Sequence, residues 1–278
     1  MLTQAFLPLV TYPEPGAAAV AANAVAIAAH LGASLHALAI NADIPVVSNA
    51  LSRILLDVPE MVRRAEEMSR TSGGELLAAV EREAKRLEVE ASVNAIAPKL
   101  GLLGEAAALH ARYFDYALCG WETGNRTSTA TAEAVIFGSG RPTILLPELA
   151  PVARLDHVAV AWDGSRVAAR AVADAGELLR RAGRVSVLTV TGEKALHHAD
   201  AAERLACGLE KKGIAATTVT LDFDRTPIAT LLQDQAIGIG AGILVMGAFG
   251  HSRLRDFVLG GATQGVLADL RMPVLMSH

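Results

Sequence analysis

Residues 157–165, HVAVAWDGS, run from an apolar segment straight into a turn. The next 25 residues decide the fold. SRVAARAVADAGELLRRAG (165–183) sets Val167, Ala171, Ala175, Leu178 and Leu179 on one helical face, and RVSVLTV (184–190) is a second short apolar run. Strand, amphipathic helix and strand follow one another. The strands are too continuously apolar to have one wet face, which predicts a parallel sheet covered on both sides. The alternation then continues with a helix over 200–213, a strand over 214–223 and a helix over 226–238, the last with Thr226 as N-cap before Pro227. A strand over 243–247, a helix over 262–270 and a strand over 273–278 complete it. Right-handed crossovers make this a doubly wound domain.

The first half repeats the order. AFLPLVTY (5–12) is its first strand, the Ala-rich segment after it the first helix, and SLHALAIN (34–41) the second strand. That strand aligns with VSVLTV without gaps, Ile40 falling on Val190. Residues 89–96, 104–114, 116–121 and 141–147 match strand three, helix three, strand four and strand five, while 44–74 is extra, with a helix from about 59 to 70. The expectation is α/β with two tandem doubly wound domains, 1–150 and 155–278, joined through ELAPVARLDH (148–157). Each would be a five-stranded, mainly parallel sheet with helices on both faces.

A chain of 278 residues buries enough surface, roughly 70–75%, to fold without a disulfide or metal staple. Its net charge of -4 provides no broad basic field, so neither nucleic acid nor an anionic membrane is an expected partner. The Ala-rich run to Ile40 is interrupted by Asn23, His30, Gly32 and His36, short of the about 20 apolar residues of a membrane span. The N-terminus lacks a basic segment ahead of Pro8, which argues against a signal peptide. Cys119 and Cys207 lie far apart with no CxxC, as expected of buried thiols in a reducing compartment. The localisation read from this is cytoplasmic.

Behind the strand at 243–247 lies GAFGHSRLRDFVLGGATQG (247–265), a cationic excursion punctuated by Gly247, Gly250, Gly260 and Gly261. Glycine is costly to order, so its repeated use points to something lying close against the backbone, and a phosphate is the candidate. In open parallel sheets ligands bind beyond the carboxyl ends of the strands, where Asp163 and Gly247 should both arrive. Gly247 and Gly250 let a loop turn its amides toward an anion. From Gly260 through Gly261, Ala262 and Thr263 a helix opens whose free N–H groups favour negative charge. His251, Arg253 and Arg255 add positive side chains. Simple tight turns would use the same glycines, and an Asp before a helix is commonly just a first-turn acid.

Together these residues resemble the universal stress protein family, whose nucleotide-binding members carry G-x2-G-x9-G-(S/T) after strand four. Gly247, Gly250 and Gly260 fit that spacing, Trp162-Asp163-Gly164-Ser165 is similar to the family's V-D-G-S turn, and MPVLM (272–276) resembles its closing strand. The two halves resemble tandem-domain members. The resemblance implies ATP or AMP, a triphosphate bringing magnesium with it. Asp163 and the main chain at Val190 would lie near adenine, and the four glycines around ribose and phosphates. It also implies an intramolecular pseudo-dimer with 141–147 near 273–278, and leaves a homodimer open. Gly261 departs from the pattern. The absent hydroxyl is worth about 1.5–3 kcal/mol, with Thr263 placed to compensate in part. The first half departs further: Val10-Thr11-Tyr12-Pro13 holds no Asp, Gly120 has no partner at the right spacing, and Gly138 and Gly140 do not restore it. That half reads as a copy without a nucleotide site, Trp121, Asn125 and the insertion being the hints of a different pocket.

No P-loop and no GxSxG elbow occur, and GIGAG (238–242) precedes its strand where a dinucleotide loop would follow one. His197, His198 and Asp200 read as a solvated helix start rather than a metal site, adjacent helical residues pointing apart. No general base stands beside a nucleophile, so no catalytic residue is assigned. The alternatives to nucleotide binding are an interaction scaffold or a slow ATPase.

Overall fold

The computed structural model describes residues 2–45, 57–147, 154–192, 198–248 and 261–278. The chain divides into two compact units, Met1–Arg141 and Pro142–His278.

In the first unit β1 (Thr3–Val10) is followed by α1 (Ala18–Leu31), β2 (Ala33–Ile40), α2 (Val58–Arg86), β3 (Ala91–Ile96), α3 (Leu103–Ala111), β4 (Tyr116–Trp121) and α4 (Arg126–Gly138). The strands are parallel in the order β3-β2-β1-β4. Phe6, Leu7, Leu35, Leu38 and Leu118 are among the wholly buried side chains, as continuous apolar strands require. Gly32 ends α1 in the left-handed region at φ 59°, its N–H on the carbonyls of Ala28 and Ala29.

The second unit begins with β5 (Thr143–Pro147) and continues through β6 (His157–Ala161), α5 (Arg166–Asp174), α6 (Gly176–Arg181), β7 (Arg184–Thr191) and α7 (Ala201–Glu210). Then come β8 (Ala216–Asp222), α8 (Ile228–Gly238), β9 (Ile243–Gly247), α9 (Ala262–Ala268) and β10 (Val274–Ser277). Its order is β5-β10-β9-β6-β7-β8. All neighbours are parallel except β5, which runs antiparallel to β10 with Leu145 opposite Val274 and Thr143 opposite Met276. The repeated strand–helix units and the mainly parallel sheets are those expected from the sequence.

Local boundaries differ in instructive places. The helix expected over 165–183 is two helices meeting at Ala175. Pro227, not Thr226, is the N-cap of α8, because Thr226 N–H is taken up by Asp224 Oδ1 (2.9 Å) in the preceding turn. The short helix expected at 59–70 runs on to Arg86, straight through Gly73 and Gly74. Cys119 is buried, its thiol pushed up to about 12 by desolvation, whereas Cys207 is exposed, contrary to the buried state expected of both. Among the described residues no helix is long and apolar enough to cross a membrane, and no cluster of His, Cys, Asp or Glu could hold a metal ion.

Candidate functional site

In the second unit β6 has β7 on one side and β9 on the other, so crossovers leave its carboxyl end in opposite directions and open a crevice there. The turn after β6 is built by its own polar groups. Gly164 takes φ 73°, a conformation that favours glycine. Asp163 Oδ1 accepts from Ser165 N–H (2.9 Å), and Ser165 Oγ, at the N-cap of α5, accepts from Ala168 N–H (3.2 Å). One carboxylate oxygen of Asp163 therefore caps a helix, and the residue as a whole remains exposed. Trp162 is tied on three sides: its N–H donates to Leu188 O (2.8 Å), its carbonyl accepts from Thr189 Oγ1 (2.9 Å), and its indole Nε1 donates to Ala201 O at the start of α7 (3.0 Å). This ladder carries Asp163 to the level of Val190, which is half-buried near the end of β7.

Gly247 closes β9 beside α5. A Cβ there would stand 2.6 Å from the carbonyl carbon of Val167 and 2.7 Å from the nitrogen of Ala168. Thr263 is buried, with its hydroxyl 3.5 Å from Gly247 O, so it faces the strand end. Gly261, the N-cap of α9, is extended (φ -77°, ψ 156°), and among the described residues a Cβ added there would meet nothing within 4 Å. Ala262 opens the helix behind it. The structure thus brings Asp163, Gly247, Gly261, Ala262 and Thr263 to one edge of the sheet, with Val190 alongside. Gly250, His251, Arg253 and Gly260 lie outside the described residues, as does Arg255.

The same edge of the first unit is built differently. By strand register Val10, buried, occupies the level of Asp163. The start of α4 repeats the start of α9: the N-cap Asn125, preceded by Gly124 at φ 98°, stands where the N-cap Gly261 stands in the second half. Only three residues separate Gly120 from Gly124, and one of them is Glu122. Its side chain is buried, 5% exposed. Oε1 accepts from Ala17 N–H at the N-cap of α1 (2.6 Å) and Oε2 accepts from Asn125 Nδ2 (3.1 Å). Asn125 Oδ1 in turn accepts from Ser128 N–H (3.0 Å), and Ser128 Oγ donates to Gly120 O (3.1 Å). Beside this carboxylate remains a hollow of about 20 Å³ bordered by Val10, Gly16, Val20 and Cys119, room for about one water.

Across the ends of β1 and β2 lies α2. Ser69 Oγ is 2.7 Å from Thr11 Oγ1 and accepts from Ala42 N–H (3.0 Å). Thr11 Oγ1 is also 3.0 Å from Ile40 O and 3.2 Å from Asn41 Oδ1. Gly73 admits this approach, since a Cβ there would sit 2.5 Å from Asn41 Oδ1. Glu122, Ser69 and Gly73 escaped the sequence reading. The Gly124-Asn125 pair was the available signal, being the counterpart of Gly260-Gly261 once the shortened loop is allowed for.

An open doubly wound domain with an acid-bearing turn at the strand switch is the class that the fold and this edge define. The universal stress protein family model matches residues 154–278, so the larger part of the second unit is a domain similar to that family. Among solved structures the chain is similar to a universal stress protein from Archaeoglobus fulgidus, with a TM-score of 0.68 and 16% identity over 98% of this chain and 97% of that one. A Pseudomonas aeruginosa protein provisionally assigned to the universal stress proteins gives a TM-score of 0.55 and 14% identity over 99% and 93%. The cytoplasmic domain of a prokaryotic cation chloride cotransporter gives 0.50 and 12% over 99% and 95%. At these identities the likeness concerns the fold, and it spans both halves. No curated protein matches the chain.

Proposed function

We propose that the second unit binds an adenine nucleotide, ATP or AMP, at the carboxyl edge of β6, β7 and β9, and that it acts through conformation or association of copies rather than turnover. The observation that carries this reading is the start of α9. Gly261 is exposed and extended, with no described residue where a side chain would be, on the same edge as Asp163. Amides at such a helix start can receive a phosphate at close range. Gly260 and Gly250 would complete the cradle, His251 and Arg253 would supply positive charge, and magnesium would arrive with a triphosphate. Asp163 has one oxygen engaged in the cap, leaving the other for a ribose or base donor.

Restoring the family's hydroxyl provides the test. Gly261→Ser fits the extended backbone and the open space, and should tighten ATP binding roughly ten- to hundredfold in calorimetry. The same serine caps α9 and adds a few tenths of a kcal/mol to stability without ligand, so affinity and stability must be measured separately. Unchanged or weaker affinity would count against this phosphate geometry. A specific observation favours the second reading, a scaffold without useful nucleotide affinity: Gly247 is required by its contact with α5 whether or not a ligand binds. Under that reading millimolar ATP, with or without magnesium, leaves the unfolding midpoint where it was, whereas a ligand of the folded form must raise it.

A further inference from the structure

We infer that the first unit carries its own anion: Glu122 fills from within the crevice between the starts of α1 and α4. In the second unit the corresponding helix starts, those of α5 and α9, are served separately. Asp163 accepts from the N-cap amide of α5 at the end of β6, and Gly261 gives the start of α9 no side-chain cap. The first unit has Val10 in place of that acid, and a carboxylate comes instead from beyond β4. Glu122 Oε1 takes the amide of Ala17, the same N-cap station that Asp163 serves, while Oε2 reaches the N-cap side chain of α4. A single buried charge bridges two helix starts whose dipoles both favour it. Gly16 and Gly120 keep the space clear, since a Cβ on Gly16 would stand 3.1 Å from Oε1 and one on Gly120 only 3.0 Å from Val20. On the other side of β1, Ser69 and Gly73 of α2 close over the strand ends. The first unit is therefore held in a filled state that no soluble ligand has to supply. This holds whether or not the second unit binds nucleotide.

The full chain with Glu122→Ala tests it, using sodium formate and inorganic phosphate as probes against sodium chloride at equal ionic strength. Removing the carboxylate leaves the Ala17 amide without its acceptor and Asn125 Nδ2 with the Glu14 carbonyl alone (3.2 Å), and the unfolding midpoint should fall by roughly 5–10 °C. Formate or phosphate should return several degrees to this variant beyond the chloride control and leave the parent protein unmoved. Glu122→Gln keeps the shape but sets an amide NH2 against Asn125 Nδ2, which cannot turn over without releasing Ser128 N–H. It should lose stability and, the space being filled, gain nothing from formate. If Glu122→Ala does not fold in chloride, its refolded fraction in formate is the readout, and recovery supports the internal anion. A variant as stable as the parent, no rescue by either anion, or equal shifts in parent and variant would each overturn it.

Discussion

At Gly247 the missing side chain has a cause that needs no ligand. The end of β9 presses on the first turn of α5, and a methyl group would overlap the backbone of Val167 and Ala168, which cannot rotate aside. Gly247→Ala should therefore cost about 1–3 kcal/mol, read as a lower unfolding midpoint with no nucleotide present. Gly261, fourteen positions on, meets nothing among the described residues, and a side chain there is free of that penalty. The two residues read alike in the sequence, as glycines flanking a loop, because composition registers that a backbone must be approached but not by what. Glu122 was illegible for a related reason. An acid directly after a strand looks like surface charge until the fold delivers Ala17 and Asn125 to its two oxygens.

Among the elements, strands were the most legible. Residues 116–121 and 243–247 were found to the residue, because a short apolar run between turns has few other readings. Helices were harder. α4, RTSTATAEAVIFG, went unread since its threonines and serines dilute the apolar stripe, although Asn125 caps it in the ordinary way by accepting from Ser128 N–H. α2 was cut short at Gly73-Gly74, residues that usually end helices, whereas Gly73 is there to let the helix approach Asn41 and Ala39. The contact between α8 and α9 obeys the same logic. A Cβ on Gly265 would lie 2.5 Å from that of Ala229. Gly265→Ala should push α9 outward and lower stability by about 1–2 kcal/mol, with a change in nucleotide affinity following if the start of α9 receives phosphate. Parallel denaturation and calorimetry on the one variant check both effects.

Across the whole molecule the repeat was visible from the order of strands, and so was the first half's loss of the Asp and the spaced glycines, while the place of Glu122 in that half was not. Each unit also holds a histidine that the fold makes harder to protonate, half-buried His36 in the first and buried His157 in the second. Burial is the main cause at both His36 and His157, helped by the charge of His110 at the first and of Arg184 at the second, and each value falls below the ordinary 6.5. The unfolded chain therefore takes up protons that the folded chain refuses. Stability should fall as the pH descends through about 6.5 and level off below the folded values. Glu177, whose carboxyl is held down by Arg180 and Arg181, works in the same direction only at more acidic pH, below the usual carboxylate range. Urea midpoints at pH 7.5 and 5.5 check this, the lower pH giving the lower midpoint.

The antiparallel strand β5 has a practical consequence. It precedes residue 154, where the family match begins, yet it lines the outer side of β10, Leu145 against Val274 and Thr143 against Met276. A fragment trimmed at 154 would bare the amides and carbonyls of that last strand along an apolar rim, ready to zip onto a second molecule. Residues 142–147 cover that strand, and belong in any excised piece meant to keep it paired.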